Sequence, residues 1–136
     1  MFTTLDISTS GLVAQRARIN AISSNLANLS TQVNEAGENV PYQPRFVVFA
    51  TDDSVKTASG GVGVKVAAVE TSTAPPRLKY EPHHPLANQD GYVAYPNIDM
   101  TSEFVDSLEA TRAYEANIGV IEVTKDLNQF TLRILA

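Results

Sequence analysis

The side chains best suited to chemistry in this sequence are His83 and His84, its only histidines, with Glu81 and Asp90 close by in the chain. These are the donor types of a zinc or other divalent-metal site. Adjacent residues on an extended loop point in opposite directions, however, which is poor geometry for two ligands on one ion. The frame Pro82-His83-His84-Pro85 reads more simply as a rigid loop. Gly60-Gly61-Val62-Gly63 resembles a phosphate loop only superficially. No Gly-Lys-Ser/Thr follows it, and Val64–Val69 reads as strand rather than as the start of a helix, so a hairpin bend is expected there. No serine sits in a G-x-S-x-G elbow, and a histidine base could come only from the proline loop. Glu115 and Glu122 lie seven residues apart beside an apolar seam, where solvated or interfacial charges fit better than an acid–base pair. The absence of cysteine removes thiol catalysis, disulfides and cysteine-based metal sites. No catalytic residue, cofactor or metal is therefore expected, and a small hydrolase using His84 is the most distant reading.

The elements that would have to hold a site point elsewhere. Residues from about Thr4 to Leu29 read as one helix, in which Leu5, Leu12, Ile19, Leu26 and Val33 recur every seven residues. Ile22 and Leu29 add a second row three positions on, as the a and d places of a heptad require. Ser30-Thr31, Gly37, Asn39, Pro41 and Pro44 then end the pattern in a loop. Arg45–Ala50 and Val64–Glu70 are rich in β-formers and predict strands, with Asp52, Asp53 and Ser54 as a polar turn after the first. Pro75, Pro76, Pro82 and Pro85 mark a proline-punctuated stretch, and Gly91–Tyr95 predicts a last short strand.

From about Asp99 to the end runs a second helix, with Asp99 or Thr101 able to cap it. Ala113, Ala116, Val120, Val123, Leu127, Phe130 and Ile134 alternate steps of three and four without a polar exception, an a/d seam over more than three heptads. The expected fold is α+β, with long N- and C-terminal helices forming a coiled-coil-like pair and a small β-rich middle unit. The expected segments are an N-terminal helix over 1–32, a loop and small β unit over 33–97, and a C-terminal helix over 98–136. A two-helix pair leaves one flank of each stripe uncovered, and a contiguous apolar face is not left in water by a monomer. A subunit of an assembly is the expectation.

Composition narrows the partners. A net charge of −5, with ten scattered Lys and Arg, speaks against nucleic acid, whose phosphates require clustered cations. No stretch approaches the roughly 18 apolar residues needed to span a bilayer, so direct membrane insertion is not expected. The first residues, Met1-Phe-Thr-Thr-Leu-Asp-Ile-Ser8, lack the basic and apolar regions of a cleavable secretory signal.

The motifs on the two helices resemble those of the axial proteins of the bacterial flagellum. Ser24-Asn25-Leu26-Ala27-Asn28-Leu29-Ser30-Thr31 is similar to the Asn-x-x-Asn motif with a following Thr shared by rod and hook proteins. Arg112-Ala113-Tyr114-Glu115-Ala116-Asn117 is similar to the R-x-Y-x-A-N signature near the C-terminus of the same group. In the middle, Pro41-Tyr42, Arg45–Phe49, Pro75–Pro82, His84-Pro85 and Gly91–Asn97 resemble a proximal member of the basal-body rod protein family over nearly the whole chain. The resemblance implies a non-enzymatic subunit of the periplasm-spanning drive shaft that carries torque to the hook. It implies partners as well: other copies of itself, other proximal- and distal-rod proteins, a rod-to-ring adaptor protein, and the flagellar type III export apparatus, which needs no cleaved signal. Leu5, Leu12, Ile19, Leu26 and the seam from Ala113 to Ile134 are the expected assembly interface, with Asn25, Asn28 and Asn117 as residues that set its register. A helical adaptor or chaperone of a secretion system is the alternative from another class.

Overall fold

A computed structural model describes residues 2–135 of the chain; Met1 and Ala136, the outermost residues of the two terminal segments, lie outside the described residues. The order of elements is α1 (Phe2–Ala27), β1 (Arg45–Lys56), β2 (Val62–Thr71), β3 (Arg77–Tyr80), β4 (Tyr92–Tyr95) and α2 (Met100–Leu135). The architecture is α+β: two terminal helices flank a small antiparallel middle region.

α1 ends two residues before the expected Leu29 because Asn28 closes it. Its amide Nδ2 donates to the Ser24 carbonyl at 2.9 Å, and its Oδ1 accepts the Thr31 hydroxyl at 2.9 Å. The Ser24 carbonyl, which also accepts the Asn28 backbone N–H at 3.2 Å, thus takes a second donor, and the side chain ties the last turn of the helix to the chain that follows. α2 begins where Asp99 caps it, accepting the Thr101 N–H at 3.2 Å and the Ser102 hydroxyl at 2.8 Å. Those bonds, the Ser102 hydroxyl foremost, hold the Asp99 carboxyl below its ordinary range.

β1 and β2 form an antiparallel hairpin from Arg45↔Thr71 to Lys56↔Val62. β1 runs through Asp52, Asp53 and Ser54, where a turn was expected. The register shifts between Asp52 and Lys56, and the Asp52 carboxylate accepts both the N–H and the hydroxyl of Ser54 there, so the polar cluster builds a bulge and not a reversal. The reversal lies further on, where Thr57 N–H donates to the Gly61 carbonyl and Gly60 takes φ +90°, a conformation that glycine adopts without strain. Gly63 is needed for another reason: a Cβ there would stand 3.1 Å from Ser10 Oγ and 3.0 Å from Val55 Cβ. The hairpin tip thus lies against α1.

β3 and β4 form a second, shorter antiparallel hairpin, Arg77↔Tyr95 to Tyr80↔Tyr92. β3 falls inside the stretch that the prolines marked as loop. Its prolines stand outside the strand, at Pro75, Pro76 and Pro82, and leave a four-residue run free to pair. The core is small, as few strands allow. Ala14, Ile22, Val93, Ile98 and Ala110 are its buried apolar residues, with Ser8 and Asn25 buried beside them. α1 lies at the centre, touching both strands of the first hairpin on one side and α2 on the other.

Candidate assembly interface

α1 and α2 run antiparallel. Arg18 of α1 reaches Asp106 at 3.2 Å and Glu109 at 3.3 Å on α2, and Asn25 reaches Glu103 at 3.1 Å. Nearer the other end, Gly11 sits against Asn117, so closely that a Cβ on residue 11 would stand 2.8 Å from Asn117 Oδ1. Nine residues back from Gly11 is Phe2, and nine on from Asn117 is Asp126, so the end of α2 runs on past the start of α1. Every residue from Gln129 to Leu135 is exposed.

The face that α2 turns inward is not the seam read from the sequence. Ala110 is fully buried, and Ala113, Tyr114, Asn117, Ile121, Thr124 and Asn128 are half-buried along one helical row. This row lies one residue on from Ala116, Val120, Val123 and Leu127, a rotation of about 100° around the helix. Val120, Val123, Leu127, Phe130 and Ile134 are 45–69% exposed. Small and polar side chains, with Tyr114 and Ile121 among them, therefore make the contact within the chain, while Val120, Val123, Leu127, Phe130 and Ile134 face away from it. The close crossing explains the choice: Gly11 and Ala110 let the two backbones approach, whereas Val, Leu and Phe would hold them apart.

Of the remaining expected residues, Ala113 is half-buried in the contact within the chain and Ala116 is exposed. Leu5, Leu12, Ile19 and Leu26 are half-buried along α1. The three asparagines make contacts within the chain. Asn28 closes α1, Asn117 Nδ2 donates to the Ala113 carbonyl at 2.8 Å beside Gly11, and Asn25 is 2% exposed. A second exposed apolar row, Met100, Phe104 and Leu108, lies at the opposite end of α2. Its four-residue spacing is present in the sequence, outside the heptad seam of Ala113 to Ile134.

The loop with the histidines uses its own polar groups. His84 Nδ1 accepts the Leu86 N–H at 3.1 Å. Glu81 is held by Lys79 at 2.6 Å and by the Tyr95 hydroxyl at 2.8 Å, and these two partners keep its carboxyl below the usual range. Among the described residues no group of three His, Asp or Glu could hold a metal ion, and no helix is long and apolar enough to cross a membrane.

Two family models match the helical ends: residues 5–32 match "Flagella basal body rod protein", and residues 89–134 match "Flagellar basal body rod FlgEFG protein C-terminal". Curated relatives match almost end to end. The flagellar basal-body rod protein FlgC of Salmonella typhimurium strain LT2 is 43% identical over 129 residues, covering 95% of this chain and 93% of the relative. FlgC of Bacillus subtilis strain 168 is 40% identical over 98% of this chain and 97% of its own length. FlgC of Borreliella burgdorferi is 37% identical, with 99% and 97% covered.

Proposed function

The chain belongs to the FlgC family of flagellar basal-body rod proteins, and from that premise we propose that it joins the rod through the outward stripe of α2. It is a structural subunit of the basal-body rod, not an enzyme, and it assembles with other rod components. Its place is in the proximal part of the shaft that crosses the periplasm, between the ring-side adaptor and the more distal rod proteins. It reaches that place through the flagellar type III export apparatus.

The observation that carries the interface is the row Val120, Val123, Leu127, Phe130 and Ile134, exposed along a helix whose end overhangs its partner. An apolar row of this length in water costs free energy that a neighbouring helix recovers by covering it. Copies or relatives joined head to tail by contacts that do not close into a ring build an open helical shaft. Dry interlocking of such rows resists sliding, as torque transmission requires. The end of α2 gains its order when a neighbour covers it, because a helix end without tertiary packing is only marginally stable in water. A transient helical adaptor would need the same stripe, but the relatives are rod proteins and do not favour it.

Val120→Asp tests the interface. The expected result is a chain exported in normal amount and with unchanged helical content, absent from purified basal bodies, in cells that do not swim. Normal swimming with the variant present in the rod would overturn the interface.

A further inference from the structure

The side chain of Asn25 leaves α1 at the junction of three elements, and its amide uses its full hydrogen-bonding capacity there. Nδ2 donates to the Arg45 carbonyl at 2.8 Å and to Glu103 Oε1 at 3.1 Å. Oδ1 accepts the Arg45 N–H at 2.8 Å and the Tyr42 hydroxyl at 3.1 Å. A primary amide has two donor hydrogens and an oxygen with two lone pairs, so nothing is left over. Two of the bonds go to the backbone N–H and C=O of the same residue, the first of β1, as a neighbouring strand would bond it. A third crosses to α2.

Further along α1, Ser10 Oγ accepts the Val64 N–H of β2 at 3.0 Å while donating to its own helix at Ile7 O, 2.6 Å. Ser10 and Asn25 are fifteen residues apart, a span of roughly 22 Å along the helix. The first hairpin is therefore held to α1 by a polar bond at each end. The apolar contacts between these points are non-directional and would tolerate sliding or rotation. Directional bonds to a buried amide do not, because a shifted strand would leave buried polar atoms unpaired.

We infer that Asn25 is the positioning residue that fixes the angle and register of the β1–β2 hairpin on the helix pair, making arm and helices one rigid body. Its consequence for load transfer in the shaft rests on the reading of the chain as a rod subunit. The geometric statement does not, and the experiment addresses the geometry.

The chain has no cysteine, so spin labels at Lys65→Cys on β2 and Glu115→Cys on α2 report one distance. The parent protein should give a single narrow distance distribution. Asn25→Ala should broaden or split it, whereas Ile22→Val, which trims the neighbouring apolar core, should leave it narrow. Should Asn25→Ala fail to fold, Asn25→Asp decides. It keeps the shape but loses both donors and sets a carboxylate against Glu103, so it should broaden the distribution. Adding Glu103→Gln, which supplies a donor across that contact, should narrow it again. A parent distribution that is already broad, or Asn25 variants that keep the parent's peak, would overturn the inference. A motility defect from Val120→Asp with an unaltered hairpin distance separates the two proposals.

Discussion

α1 and α2 are both long heptad-patterned helices, yet the molecule treats them differently. α1 is covered from two sides and buries Ser8, Ala14, Ile22 and Asn25. α2 is ten residues longer, 36 against 26, and buries only Ala110. α2 nevertheless carries the cleaner apolar stripe. The strongest stripe in a chain is thus not always the one the chain buries for itself. On the proposed reading a neighbouring subunit covers the outer row, while the internal contact is left to Ala110, Ala113, Asn117 and Thr124 with Tyr114 and Ile121.

The largest test of this difference exchanges comparable truncations between the helices. Ile22→Ala removes a side chain 6% exposed and should cost about 2–5 kcal/mol in urea unfolding of the isolated chain. Leu127→Ala, at 58% exposure, should stay within about 0.5 kcal/mol in the same measurement. In basal bodies the order should reverse at α2, with Leu127→Ala lowering the amount of subunit recovered. Equal losses in the isolated chain would mean that α2 is covered in solution and would break the comparison.

Much of this architecture is legible in the sequence, and what is not has a physical reason. Heptad recurrence locates both helices, and the sequence offers Asp99 or Thr101 as the cap of α2, of which the fold uses Asp99. The stripe does not tell which of two adjacent rows meets α1. That depends on the closeness of the crossing at Gly11 and Asn117, a pair more than a hundred residues apart in the chain. The role of Asn25 was hidden in the same way. An Asn near a helix end suggests a cap or an interface, and only the fold brings Tyr42, Arg45 and Glu103 around it. The bulge at Asp52–Ser54 reads as a turn in the sequence because the same Asx geometry serves both. β3 is not legible in the sequence because its flanking prolines outweigh a short alternating run.

The two helix glycines sharpen the comparison at smaller scale. A methyl group at Gly11 would meet Asn117, whereas at Gly119 it would meet nothing within 4 Å. Gly119→Ala should therefore stabilise the isolated chain by up to about 1 kcal/mol, the ordinary cost of glycine in a helix. Gly11→Ala gains the same term but must displace the Asn117 side chain from its bond to the Ala113 carbonyl, and crowding costs of about 1–3 kcal/mol make it a net loss. In the double variant with Asn117→Ala the loss should shrink or vanish, a coupling that a double-mutant cycle reads directly. Additive effects would show that the crossing is looser than the contact implies.

The smallest effect concerns Glu103, which with Asp106 is one of two half-buried carboxylates of α2. Glu103 shares its Oε1 with Asn25, while its Oε2 is buried without a hydrogen-bond partner. Burial raises its carboxyl above the ordinary range, the Asn25 bond opposes this, and nearby Asp106 adds to it. Arg18 on α1 and Arg45 on β1 line the same cleft, so the site is not without cations. With the pKa raised on folding, the native chain binds more protons than the unfolded one between the two pKa values. Stability should accordingly fall as pH rises through that window, which begins at the unfolded glutamate pKa and extends upward. Asp99 has the opposite sign: its lowered carboxyl contributes stability that is present at higher pH and is lost as pH falls through the folded value. Glu103→Gln keeps an acceptor for Asn25 and cannot titrate. Its melting temperature should exceed the parent's at neutral pH and converge with it in acid, once the parent's Glu103 is protonated. A variant with the same pH dependence as the parent would mean that the carboxyl is hydrated in solution and that the cover over this end of α2 is open to water.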